Sequence, residues 1–394
     1  MRFIHTSDWH IGRLFQNISL LEDQLFALAQ IKQYIEQHNV DALIVAGDIF
    51  DRAIPPSDAV DALDNFLQSL QQLSIQVIMI SGNHDSAQRL GFGSKHMQQA
   101  GLHILADLNE IETPVIVSSN TGDVAFYGIP YHDPVQVREA FATKAENISI
   151  KNYDDAHTYC VDKILAHKKQ HHKELPTVLL SHCFIDGATE SDSERPLSIG
   201  GADRVSWQPV EPFNYVALGH LHGPQFKGKE HIRYSGTPIK YSFSEHKQNK
   251  SVTLVDIDEN GNVKQQQLPI LAKHNMRIVE GELQQIIDAA KLETEQQQQD
   301  YILARLTDTQ VILDAMGRLR SVYPNVLQLE RPNFERQSNS RLAINNEDGN
   351  SNKRSEEQIF SEFFSQVMNC ELTEEQQQIL FSTISEAKQQ LEQQ

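Results

Sequence analysis

Apolar runs recur through the first 270 positions, and five of them break off on polar side chains of one kind. "RFIHTSDWH" runs into Asp8 and His10, "DALIVAGDIFD" into Asp48 and Asp51, and "QVIMISGNHD" into Asn83, His84 and Asp85. "TVLLSHCF" ends on His182, and "YVALGHLH" on His220 and His222. β-branched and aliphatic runs of this length predict buried strands. Between them the spacing turns helical: "QLFALAQIKQYI" carries Leu25, Leu28, Ile31 and Ile35, and "PPSDAVDALDNFLQSLQQL" carries Val60, Leu63, Leu67 and Leu70. Strands alternating with helices predict an α/β protein of layered sheets. Two later runs, "HIRYSGTPI" and "SVTLVDID", the second closed by the turn-like "ENGN", predict antiparallel additions to the sheet.

The pattern changes after residues 1–270. Residues 275–332 read as a small βαβαβ unit: "MRIVEG", "ELQQIIDAAKL", "YILARLTD", "VILDAMGRLRSVY" and "VLQLERP". Residues 333–354 are polar and lack apolar periodicity, which predicts a linker. Two helices are expected over 355–394, where Ser355 with Gln358 and Thr373 with Gln376 have capping-box spacing. The first carries Ile359, Phe360, Phe363, Phe364 and Val367, the second Ile379, Leu380, Ile384, Ala387 and Leu391. Such stripes need burial, either as a hairpin folded on this chain or against a partner.

Composition narrows the class. No apolar run approaches the roughly 20 residues that cross a bilayer, and "MRFIHTSDWH" enters a strand with no export leader. Cys160, Cys183 and Cys370 are too scattered for a disulfide framework or a thiolate zinc site, so a cytoplasmic protein is expected. The net charge of −19 argues against broad adhesion to nucleic acid through a basic surface. It leaves a nucleic-acid enzyme open, because bound divalent cations attract phosphate locally. Part of the charge belongs to the tail, where residues 356–394 hold eight acidic side chains against Lys388.

The five strand endings carry the chemistry. Sites in layered α/β proteins form at the carboxyl ends of strands, so these residues are expected to converge at one edge. Oxygen and imidazole donors without thiolate suit manganese, iron or zinc. Their number exceeds what one ion needs and fits two ions sharing a carboxylate, for which Asp48 is central in the sequence order. "HKKQHHKE", with His167, His171 and His172, reads as a solvated helix face. His5, His38, His96, His103 and His157 present no ligand pattern.

The order D-x-H, GD, GNHD, a lone histidine after a strand, then GHxH resembles the calcineurin-like metallophosphoesterases over residues 1 to about 240. "HTSDWHIGR", "GNHDSAQRL", "LSIGGADRV", "ALGHLHGPQ" and "YSGTPIKYSFSE" are similar to the SbcD-type nuclease subunits of bacterial SbcCD complexes, over nearly the whole chain. The resemblance implies mixed β-sheets flanked by helices, a small α+β cap domain and C-terminal helices. It implies one metal on Asp8, His10, Asp48 and His222, and a second on Asp48, Asn83, His182 and His220. His84 matches the histidine that contacts the scissile phosphate and assists the leaving group. Many relatives carry histidine three residues beyond the bridging aspartate, where this chain has Asp51, a second candidate catalytic residue. Arg13 and Arg89 follow the motifs closely and are candidates for DNA phosphate contact or for capping and surface roles.

The function implied is a manganese-dependent exonuclease and endonuclease acting on duplex ends and hairpin DNA in repair, recombination and replication. An SbcC-type ATPase bound at 355–394, a homodimer and a nucleoid-associated cytoplasmic location are implied with it. The alternative is a phosphatase or small-nucleotide phosphodiesterase using the same metals. A binding scaffold on a decayed enzyme fold is a third reading, which the complete ligand set disfavours.

Overall fold

A computed structural model of the chain describes residues 1–141, 149–194, 203–310, 312–332 and 372–392, with 357, 358, 360, 361 and 364 between them, and side chains in the last helix as far as 385. It divides into two compact units, Met1–Lys273 and His274–Gln394.

The first unit begins with strand β1 (Arg2–Thr6), helix α1 (Leu21–His38), strand β2 (Ala42–Ala46), helix α2 (Ser57–Gln71), and strands β3 (Gln76–Ile80) and β4 (Leu102–Leu105). Then follow β5 (Val115–Ser119), β6 (Gly122–Ile129), α3 (Pro134–Phe141), α4 (Tyr153–His171), β7 (Thr177–His182) and β8 (Tyr215–Gly219). The strands β9 (Gln225–Lys227), β10 (Lys229–Tyr234), β11 (Ser251–Ile257) and β12 (Val263–Pro269) complete it. Among the described residues these form two six-stranded sheets, in the orders β12-β11-β1-β2-β3-β4 and β9-β10-β8-β7-β6-β5. The central strands of both are parallel, so all five expected strand endings lie at carboxyl ends.

One core joins the two sheets: Phe3, Ala42, Ile44 and Ile78 of the first pack with Phe126, Val178, Leu180 and Tyr215 of the second. A second core lies under α3 and α4, where Val137, Cys160, Val161 and Ile164 meet Leu179, Val216 and Leu218. Because residues i and i+2 of a strand share a face, Leu180 serves the first core and Leu179 the second. Strands buried on both sides read as unbroken apolar runs. Asn152 starts α4 by accepting the Asp155 N–H at 2.8 Å, and Asn39 ends α1 in the left-handed region at φ 50°, both ordinary capping devices.

Three expectations need correction. Leu25 and Val60 are exposed, at 43% and 45%; the buried faces instead run through Ala27, Leu28, Ile31 and Ile35 on α1 and Ala59, Leu63, Phe66 and Leu70 on α2. The small alanines let each helix approach its sheet along a face rotated from the one that the large residues mark. "HIRYSGTPI" supplies β10, which runs parallel to β8, not antiparallel, because the intervening β9 forms the hairpin with it. β11 is antiparallel to β1, as expected.

The second unit contains β13 (Met276–Gly281), α5 (Leu283–Ala290), β14 (Tyr301–Leu306), α6 (Ala315–Arg320), β15 (Val326–Glu330) and α7 (Glu374–Glu392). The three strands are parallel, and Leu283, Ile286, Ile287 and Leu319 of the helices form a core with Ile302 and Ala304. α7 opens with a capping box, in which the Thr373 N–H donates to Gln376 Oε1 at 3.0 Å and the Gln376 N–H to Thr373 Oγ1 at 3.4 Å. Ile379 is exposed while Leu380 is buried, so the expected stripe is not a single buried face. The linker 333–354, Ser355, Ile359, Phe363, Val367 and Cys370, and the side chains of Ala387 and Leu391, lie outside the described residues.

Candidate metal centre

The five strand endings meet across the two sheets, not along the edge of one. β1, β2 and β3 bring Asp8, His10, Asp48, Asn83 and His84 from the first sheet; β7 and β8 bring His182, His220 and His222 from the second. The loops after β1 and β2 run side by side, through Asp8 N–H to Gly47 O at 3.0 Å and His10 N–H to Asp48 O at 2.9 Å. Asp8 (φ 53°), His10 (φ 44°), Asp48 (φ 50°) and His220 (φ 108°) all have left-handed backbone. Non-glycine residues adopt it at a cost of order 1–3 kcal/mol each, and such strain clusters at functional sites. Close approach also fixes two glycines: a Cβ on Gly219 would lie 1.8 Å from Ala46 O, and one on Gly82 2.1 Å from Asp48 Oδ1.

The donor atoms point at one another. Asp48 Oδ2 lies 3.7 Å from His10 Nε2 and 3.5 Å from His182 Nε2. His10 Nε2 and His222 Nε2 are 3.2 Å apart, while Asn83 Oδ1 is 3.0 Å from His182 Nε2 and 3.1 Å from His220 Nδ1. His182 donates Nδ1–H to Ala46 O at 2.9 Å, so its Nε2 carries a lone pair toward the Asn83 oxygen. Acceptors facing acceptors repel unless a cation lies between them, and this is the fit expected of ligands gathered for metal. Three groups, Asp8–His10–His222, His10–Asp48–His84 and Asp8–Asp48–His182, are close enough to hold an ion.

Burial tunes the same atoms. It pushes the His10, His182 and His220 imidazoles below their ordinary range, and for His10 and His220 the neighbouring histidines add to the effect. Neutral imidazole is the form that binds metal. Burial and the Asp48 charge hold the Asp8 carboxyl well above its usual range, a cost that a bound cation reverses.

Supporting contacts come from Asp85, part of the third strand ending, and from residues to which the sequence assigned no role. Asp85 accepts the N–H groups of Ile49, Phe50 and Gly82 at 3.1, 3.0 and 2.9 Å, tying the β2 loop to the β3 loop. Gln24 donates to His10 O at 2.7 Å and to Trp9 O at 3.1 Å. Glu194, Ser193, Glu245 and Lys250 surround His222, and only Glu245 had appeared in a motif, without a role. Their contacts are long in sequence and leave no local pattern to find.

His84 is half-buried, with Nδ1 2.7 Å from Asp51 O. The Asp51 carboxylate lies 3.5 Å from Arg13 Nη1 and 3.7 Å from His10 Nδ1. Arg13 is held inside, donating to Ser193 O at 3.0 Å and lying 5.0 Å over the Tyr241 ring. Arg89 is exposed at an open groove of about 430 Å³ beside the centre, lined by Ile54, Val60, Leu63, Phe92 and Met97. His5 is a satisfied core residue, 3.0 Å from Tyr215 OH, and His167, His171 and His172 lie at the end of α4, away from the strand endings.

A family profile described as calcineurin-like phosphoesterase matches residues 1–224. The chain belongs to this family. Members use divalent metal ions to cleave phosphoesters, and this chain is such a metal-dependent phosphodiesterase. A second profile, described as the type 5 capsule protein repressor C-terminal domain, matches residues 272–368. The D component of nuclease SbcCD from Staphylococcus epidermidis is 33% identical over 351 residues, 88% of this chain and 90% of that protein. The same component from Staphylococcus saprophyticus is 32% identical over 378 residues, 95% and 96%. A dimetal phosphatase from Danio rerio aligns at 13% identity and a TM-score of 0.40, over 69% of this chain and 99% of that one; a likeness that small carries no argument. Among the described residues no helix is long and apolar enough to cross a membrane.

Proposed function

We propose that this phosphoesterase is the nuclease subunit of an SbcCD-type complex, cutting DNA at duplex ends as a 3′–5′ exonuclease and in hairpins as an endonuclease. The observation that supports it most is the placement of Asp48 Oδ2 between His10 and His182, in a chain similar to SbcCD nuclease subunits along nearly its whole length. Asp8, His10, Asp48 and His222 would hold one divalent ion, and Asp48, Asn83, His182 and His220 the other, manganese in both. Bound there, two such ions supply positive charge to the phosphodiester and lower the pKa of a nucleophilic water.

The chain's own residues do the rest. His84 gives Nδ1–H to the Asp51 carbonyl, which sets the ring and leaves Nε2 as the atom that meets substrate. As an imidazolium it transfers the Nε2 proton to the departing oxygen. Asp51 thereby acts through its carbonyl, and its carboxylate pairs with Arg13 at 3.5 Å. Arg89, exposed beside the centre, would be the arginine to meet a DNA phosphate, with a surface role as the alternative.

With a net charge of −19, the chain gains from a basic partner surface, which an SbcC-type ATPase would provide. Residues 275–332 would serve as a small DNA-binding cap domain, and 355–394 would dock the ATPase, with the nuclease chains paired as a homodimer in the cytoplasm. Deleting residues 355–394 is expected to abolish partner co-purification while sparing manganese-dependent hydrolysis of a chromogenic phosphodiester. Retained partner binding would remove the docking assignment.

The function itself is tested by manganese-dependent cleavage of an end-labelled hairpin duplex, with and without an SbcC-type partner and ATP. Cutting should rise with partner and ATP. Hydrolysis confined to the small diester under every condition would reassign the enzyme to nucleotides.

A further inference from the structure

We infer that Glu245 acts through Ser193 to fix the tautomer and direction of the His222 ring, so that both are positioning residues for one of the two metal sites. The inference rests on the two-ion reading above. Ser193 Oγ lies 2.5 Å from His222 Nδ1 and within hydrogen-bonding distance of Glu245 Oε1. A serine hydroxyl has one proton, and a carboxylate only accepts. The hydroxyl therefore donates to Glu245, and its oxygen accepts Nδ1–H from His222. That leaves the lone pair on Nε2, the ring atom 3.2 Å from His10 Nε2.

The arrangement is built to stay fixed. Glu245 is fully buried and Ser193 nearly so. Lys250 lies 2.5 Å from Glu245 Oε2, so the carboxylate keeps its charge and its role as acceptor. The same ammonium donates to His222 O at 2.8 Å and to Thr237 Oγ1 at 2.7 Å. Glu194 Oε1 accepts the His222 N–H at 2.8 Å, and the Glu194 Oε2 contact with Ser191 Oγ at 2.6 Å holds that carboxylate. Ring, amide and carbonyl of His222 are thus each held by a different side chain. His182 receives the simpler form of the same device, from Ala46 O. Partners that orient ligating histidines in this way typically change metal affinity by about 10–100-fold when removed.

The test is calorimetric titration of Mn²⁺ into the metal-stripped, full-length protein, with the melting temperature of each metal-free variant measured alongside. Wild type should take up two ions. Ser193→Ala leaves the Glu245–Lys250 pair in place and should weaken one of the two sites by about 10–100-fold, with the other site and the metal-free melting temperature unchanged. Ser193→Thr keeps the hydroxyl and should restore the weakened site. Fewer than two ions in the wild type would sink the two-ion reading itself. Two ions bound by Ser193→Ala with wild-type affinity would overturn the relay alone, as would equal weakening of both sites with a lowered melting temperature, which is the signature of lost packing.

Discussion

Replacing His84 by glutamine is expected to lower phosphodiester turnover by about 10²–10⁴-fold while both metal ions stay bound. That loss corresponds to about 3–5 kcal/mol of transition-state stabilisation. Glutamine nearly matches the length of histidine but carries no proton that it can give to a leaving oxygen. The backbone contact of residue 84, its N–H to Asp48 Oδ1 at 2.8 Å, survives the change, so the carboxylate stays in place. The fall should appear in kcat more than in KM, because the proton moves only in the transition state. Metal stoichiometry decides between two roles for this side chain, since His84 also lies close enough to His10 and Asp48 to share an ion with them. Loss of an ion in the variant would make His84 a ligand, and wild-type turnover in the fully loaded variant would remove it from the chemistry.

The ligand-type residues were legible because each follows a strand end directly, within a few positions of an apolar run. Local order along the chain is what a sequence shows best. The division of those endings between two sheets was not legible, because an apolar run buried on both faces carries no mark of which sheet it joins. The same blindness let Leu25 and Val60 pass for core positions: helical spacing gives a face only to within a neighbouring residue, and small alanines took the buried places. The direction of β10 depended on the short hairpin strand before it. Ser193 was unmarked, and Glu245 stood in a motif without a role, for another reason. Their contacts with each other and with His222 span 52 and 29 positions, and a lone serine and a lone glutamate have no pattern of their own. The left-handed backbone at Asp8, His10, Asp48 and His220 likewise exists only once the two loops lie side by side.

Asp48→Asn is expected to be the most damaging single change at the centre, weakening both ions together by more than about 100-fold, beyond the typical loss for an outer partner. The geometry makes asparagine a poor substitute. Its one oxygen is claimed by the His84 N–H, which now meets Asp48 Oδ1 at 2.8 Å. The amide nitrogen must then occupy the place of Oδ2, facing His10 Nε2 and His182 Nε2, where it donates and cannot ligate. Both sites lose the same donor and the same charge. The fold should not suffer. In the metal-free protein, burial and then the Asp48 charge raise the Asp8 carboxyl, and the same causes push Asp85 up to about 7. A carboxyl raised in this way costs stability as pH rises through its folded value, so removing the Asp48 charge relieves that cost at neutral pH. Metal-stripped Asp48→Asn should therefore melt no lower than metal-stripped wild type. Manganese separates them: at a free concentration 100 times Kd, a bound ion adds about 2.7 kcal/mol per site to the wild type, and the variant should gain almost none. Asp51→Asn is the control, because that carboxylate faces Arg13 and the far side of the His10 ring and should leave two ions bound. A variant at position 48 that keeps one ion at wild-type affinity would show that the carboxylate belongs to a single site, and the shared-ligand geometry would have to be abandoned.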